Sequence, residues 1–180
     1  IQIGTTLLVT FISVLALLPT RAQQTVFWLE GFETDAAQDD WYAIAGVWEF
    51  GVPTSGPGAA HGGTNCVGTV LAGNYADDTS SRLVGPAFVV PPAESSPRLR
   101  FWHWFSFGGH DFGQVQIKAG TNQWVSLATY TSTSSGVWSQ PGLDLSAYAG
   151  QMVQIGFYFE SHGYSDWYGY HVDPGSGWYV

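Results

Sequence analysis

The residues able to do chemistry are few, and their spacing decides which reactions they could support. A zinc hydrolase would carry HExxH on a helix and a serine hydrolase GxSxG, and neither motif occurs. The five histidines are dispersed. His61, His110, His162 and His171 fall in stretches that read as solvated loops, whereas His103 lies inside a strand pattern, where a hydrogen-bonded core imidazole is expected. Cys66 is the sole cysteine, which excludes an intrachain disulfide, and with no base beside it the thiol reads as a small buried hydrophobe. Gly108-Gly109 lacks the strand-to-helix context of a phosphate cradle, and Asp111 reads as a turn former. Glu49 and Glu160, at strand ends, are the acids a β-sandwich glycosidase would use. Such a pair must stand about 5 Å apart for retention or roughly 6.5–9.5 Å apart for inversion. The ExDxxE signature of one large group of lectin-fold hydrolases is absent.

Binding chemistry has better material. In the stretch 99–107, Leu99, Phe101, His103, Phe105 and Phe107 alternate with Arg100, Trp102, Trp104 and Ser106, so the two sets must point to opposite faces of a strand. The outward set, with Tyr158 from the strand 152–160, would make an aromatic platform of Arg100, Trp102, Trp104 and Tyr158. Sugar rings stack their C–H faces on indole and hydrogen-bond their edges to Arg or Glu, and a protein partner would use the same anchors. The plainer alternative is that loops cover this face.

The elements that must carry these residues are strands. Short runs of alternating apolar and polar residues, separated by Gly, Ser, Pro, Asn and Asp, are expected at 25–30, 42–45, 47–50, 65–70, 81–84, 87–90, 99–107, 114–118, 124–129, 136–143, 152–160 and 177–180. No helix is needed. The stretch 51–65, GVPTSGPGAAHGGTN, reads as a long surface loop, and 160–176 as a second, polar and aromatic one. Trp124, Trp138 and Trp178 are expected to fill the space between sheets, and Gly150 to take a positive φ in a tight turn before residue 152. This pattern predicts an all-β, two-sheet antiparallel sandwich, with a jelly roll fitting the strand number better than an immunoglobulin type that favours a Cys pair.

Composition agrees. The 180 residues are 16% aromatic and 11% charged with 23 glycines, too apolar for disorder and too poor in Lys, Glu and Leu for a helical bundle. A formal charge of −9 disfavours nucleic acid and anionic lipid as partners. The apolar run 7–18 is too short to span a bilayer. With Pro19-Thr20-Arg21-Ala22 after it, this run reads as a signal peptide cut after Ala22. The expected organisation is therefore a leader at 1–22, itself truncated at its start, and one domain at 23–180.

Taken in order, several segments resemble the secreted bacterial jelly-roll modules grouped with MAM-like domains, the cleaved-adhesin domain and the C-terminal modules of immune-inhibitor-A-type metallopeptidases. They are Phe27-Trp28-Leu29-Glu30-Gly31-Phe32-Glu33, Trp48-Glu49-Phe50-Gly51, Arg82-Leu83-Val84-Gly85-Pro86, Leu99-Arg100-Phe101-Trp102-His103, Leu143-Asp144-Leu145-Ser146-Ala147-Tyr148-Ala149-Gly150-Gln151 and Gly177-Trp178-Tyr179-Val180. The resemblance implies a concanavalin- or galactose-binding-like sandwich. Its expected role is noncatalytic, in adhesion or in recognition of an extracellular glycan or protein, within a larger secreted or surface protein. Structural Ca2+ is implied at Glu30 and Glu33. Members continue past the Gly-Trp-Tyr-Val strand with an Asp-Asp pair, so the strand ending at Val180 is expected to be cut and further domains to follow. A structural spacer is the remaining alternative.

Overall fold

The computed structural model describes residues 25–163, 168 and 174–180. The expected leader and His171 lie outside the described residues. A one-turn helix, α1 (Asp35–Asp39), precedes eleven strands: β1 (Tyr42–Ile44), β2 (Glu49–Gly51), β3 (Cys66–Gly68), β4 (Ser80–Val84), β5 (Phe88–Val89), β6 (Arg98–Arg100), β7 (Trp104–Ala119), β8 (Val125–Ser134), β9 (Gly142–Asp144), β10 (Met152–Glu160) and β11 (Gly177–Tyr179). All pairings are antiparallel.

The expected runs 99–107 and 114–118 are largely merged in β7, whose register against β8 shifts between Phe107 and Phe112. Gly109, at φ 39°, sits in that irregular stretch. A bulge bends and twists a strand, and here it lets one strand serve two layers. The second half of β7 pairs with β10 and the first half with β11. Layer one is therefore β1-β4-β10-β7 with β8, and layer two is β2-β3-β11-β7. The β6–β9 pair and the His103–Ser139 bridge extend layer two along the same hairpin.

The core lies between them. Leu83, Val115, Ile117, Val153, Ile155, Phe157 and Phe159 project from layer one, and Val67, Phe101, Phe107 and Trp178 from layer two. Phe157 meets Phe101 at 5.3 Å and Trp178 at 5.5 Å between ring centroids, both edge-on. His103 is buried among them, with Trp178 Nε1 donating to its Nδ1 at 3.3 Å. Burial of the imidazole pushes its pKa down to about 4. Cys66 is buried as expected, and desolvation pushes its thiol up to about 12. Gly150 takes the positive φ its turn requires, 73°.

Three expectations are corrected. Residues 25–30 form no strand; Trp28 instead lies over Trp41 and Phe88, with centroids at 5.9 and 6.2 Å. Trp124 and Trp138 do not fill the core: both are half-buried, Trp138 donating from Nε1 to Ala59 O at 3.3 Å. Asp111 is no surface turn former. It is 2% exposed, its Oδ2 accepting from the Tyr75 hydroxyl and its Oδ1 from His162 N, so it ties the end of β10 to the bend of β7.

Candidate binding face

Register places the polar side chains of layer one. Phe157 pairs with Leu83 and Val115, which face the core, so the neighbouring row of Arg82, Tyr158 and Gln114 must face outward. The rows beside it add Ser80 and Glu160 on one side and Gly156 and Gln116 on the other.

Arg82 is the centre of this face. Its guanidinium lies 5.0 Å from the Trp124 ring centroid and 4.9 Å from that of Tyr158, and its Nε donates to Gln116 Oε1 at 2.8 Å. Gln116 Nε2 in turn donates to Gln114 Oε1 at 2.8 Å. Lys118 Nζ lies 5.2 Å from the Trp124 centroid, so that indole is flanked by two cations. Gly156 makes the arrangement sterically possible: a Cβ there would come within 3.0 Å of both Arg82 Cδ and Trp124 Cζ3. Partial burial holds the Arg82 pKa below its ordinary value.

At the other end the Tyr158 hydroxyl donates to Glu160 Oε2 and accepts from Ser80 Oγ at 3.0 Å. Burial first, and then the Glu160 carboxylate, raise the Tyr158 pKa above the usual tyrosine value. Glu160 Oε1 lies 3.1 Å from His162 Nε2. Two shallow depressions open here, one of about 90 Å³ bordered by Ile44, Arg82 and Tyr158, the other of about 240 Å³ bordered by Asp78, Glu160 and His162, meeting at Ser80. Such volumes are below the roughly 300–1,000 Å³ of enclosing small-molecule sites, and suit a ligand that lies along a surface.

The expected platform is not brought together. Tyr158 stands in layer one, whereas Arg100, Trp102 and Trp104 lie along layer two, where the loop 51–65 covers much of that face. His61 stacks on Trp102 with centroids 3.6 Å apart, and Trp104 packs edge-on against Tyr179, whose hydroxyl accepts from Ser55 Oγ. Trp102 keeps 37% exposure and Arg100 is exposed. Arg82, Trp124 and Gln116, at the centre of the observed face, were missing from the expected site. For Gln116 the signal was the alternation 114, 116, 118, whose polar members share one side with Tyr158 and Glu160 of the series 154, 156, 158, 160.

Of the two acids expected to hold calcium, Glu33 clamps the covering loop. Its Oε1 accepts from Thr64 N at 2.8 Å and Asn65 N at 2.9 Å, and its Oε2 from Asn65 Nδ2 at 3.3 Å. Glu30 Oε1 accepts from Gly31 N and Phe32 N, both at 2.7 Å. No group of three or more His, Cys, Asp or Glu side chains converges among the described residues. The glycosidase pair is likewise dispersed: β7, β11 and β3 lie between Glu160 on β10 and Glu49 on β2, and Glu49 Oε2 accepts from Leu71 N at 2.7 Å.

Comparison with known proteins bears on the fold. No family model matches the chain. Over 141 residues it is 35% identical to Bacillopeptidase F of Bacillus subtilis (strain 168), a match covering 76% of this chain and 10% of that protein. The chain thus spans a small part of the curated relative it matches. Among solved structures, the K2 cleaved adhesin domain of Lys-gingipain superposes with a TM-score of 0.53 at 18% identity, covering 83% of this chain and 96% of that one. The chain is an all-β jelly-roll sandwich. A carbohydrate-binding module solved with β-1,4-galactotriose, TmCBM61, gives a TM-score of 0.39 at 15% identity over 79% of this chain and 81% of that one. No helix among the described residues is long and apolar enough to cross a membrane.

Proposed function

We propose that this domain is a noncatalytic recognition module that binds extracellular glycan along the outer face of layer one, as an accessory unit of a larger secreted or surface protein. The observation that carries this reading is the Arg82 guanidinium held between Trp124 and Tyr158 above Gly156, within an array of amide and hydroxyl groups that opens into shallow depressions. Aromatic rings, a forked cation and side-chain amides on a rigid sheet are what sugar edges and C–H faces require. The likeness to a part of Bacillopeptidase F supports an accessory role within a peptidase-type protein, and the cleaved-adhesin fold supports adhesion.

Glycan-array binding followed by calorimetry on the best hit tests this. Trp124→Ala and Tyr158→Ala are expected to weaken binding at least tenfold, while Trp102→Ala leaves it within twofold. Loss in Trp102→Ala and Trp104→Ala alone would move the site to layer two. Absence of any ligand would favour a spacer, and glycan hydrolysis abolished by Glu160→Gln would make the domain an enzyme. Calcium at Glu30 and Glu33 would need further oxygen ligands. A calcium-dependent rise in melting temperature, lost in Glu30→Gln, would identify those carboxylates as ligands.

A further inference from the structure

We infer that the face around Arg82 recognises a carboxylate-bearing sugar, a uronic acid residue within a glycan, with Arg82 receiving the carboxylate and Lys118 adding positive charge to the same face. The inference rests on the glycan-binding reading above and narrows its ligand. Acidic residues outnumber basic ones in this chain, 14 to 5. Yet among the described residues the ion pair is His162 with Glu160, and no carboxylate pairs with Arg82 or Lys118. Arg82 spends Nε–H on Gln116 and its faces on two rings. The donors on its two terminal nitrogens have no acceptor among the described residues, although partial burial has already lowered its pKa. A half-buried guanidinium fixed by stacking and one hydrogen bond, with its fork unfilled, is preorganised for bidentate carboxylate binding. Lys118, also placed against the Trp124 ring, adds a second positive charge to the same face.

Placement argues for a sugar acid over an acidic peptide. The neighbouring groups are amides and hydroxyls, Gln114, Gln116, Ser80 and Tyr158, suited to ring hydroxyls, and Glu160 at the far end can accept from a hydroxyl but would repel a second carboxylate. Strands about 4.8 Å apart give a spacing near that of one pyranose ring. The chain's overall negative charge opposes a polyanion at a distance, but at physiological salt it is screened beyond about 8 Å, so the contact cations decide.

Calorimetry on the whole domain with three probes separates the outcomes: trigalacturonate, its methyl ester, and neutral galactotriose. Trigalacturonate is expected to bind at least tenfold tighter than the other two. Arg82→Gln should remove most of that difference and Lys118→Gln part of it, while Arg100→Gln, on layer two, leaves it unchanged. Lys118→Gln keeps the test valid if Arg82→Gln lowers the melting temperature. Equal binding of acid and ester, weakened by Trp124→Ala, would overturn the inference and leave the glycan-binding reading standing. Binding of oligoglutamate as tight as trigalacturonate would overturn it in favour of an acidic peptide. Failure of every glycan to bind would sink both.

Discussion

At the scale of single residues, His103 shows how a group that could do chemistry is held out of it. Its ring is 2% exposed, and Nδ1 is occupied by the Trp178 indole N–H, which fixes the neutral tautomer with its proton on Nε2. Burial pushes the folded pKa to about 4, against an unfolded value near 6.5. The unfolded chain therefore takes up a proton, between those limits, that the folded chain refuses, and the stability present above pH 6.5 is lost as pH falls toward 4. By pH 5 the loss amounts to about 2 kcal/mol. Urea titrations at pH 7.5 and pH 5 should show that decrease in wild type and a much flatter profile in His103→Gln, which starts from lower stability. This role was legible from alternation alone, because an imidazole between Phe101 and Phe105 on one strand face has only the core to enter. The role of Asp111 was not: nothing in Gly-His-Asp-Phe-Gly indicates that Tyr75, far away in the chain, will bury its hydroxyl against that carboxylate.

At the scale of elements, the strands were readable and the departures from them were not. Period-two patterning placed β4 and β10 nearly where they stand and found parts of β7 and β8, because a strand with one face in a core must alternate. Trp124 was assigned to the wrong side because it follows the turn at 119–122, where Asn122 N donates to Ala119 O, and the count of alternating faces does not carry through a turn. The loop 51–65 was recognised as a loop, but its covering of Trp102 and Trp104 depends on contacts distant in sequence. One of them is testable. Glu33 gathers two backbone N–H groups and one amide at 64–65, and a Cβ at Gly63, itself at φ 71°, would collide with that carboxylate. Glu33→Ala should cost about 1 kcal/mol of stability. It should also speed proteolysis within 51–65 and shift the fluorescence of the loop-covered tryptophans toward the red, with little change at the layer-one face. An unchanged cleavage rate would mean that the His61–Trp102 stack and the Ser55–Tyr179 hydrogen bond hold the loop unaided.

At the scale of the whole molecule, stability depends on the last described strand. β11 lies inside layer two, hydrogen-bonded to β7 on one side and β3 on the other, and Trp178 on it is fully buried against residues of both layers. The stretch Gly177-Trp178-Tyr179 was legible as a strand. Its position between β7 and β3 was not, because that pairing joins residues more than a hundred positions apart in the chain. Trp178→Ala removes the indole that touches Trp48, Phe107, Tyr130 and Phe157, and should cost about 3–5 kcal/mol. Because both layers lean on that ring, amide exchange should accelerate together in β3 and β10, and thermal unfolding should stay a single transition at lower temperature. Deletion of residues 177–180 is the harsher case, since it uncovers the hydrogen-bonding edges of β7 and β3 at once and should yield an aggregating product. If β10 kept its exchange protection while β3 lost it, the two layers would be separate folding units, and the bend in β7 would be a hinge between them.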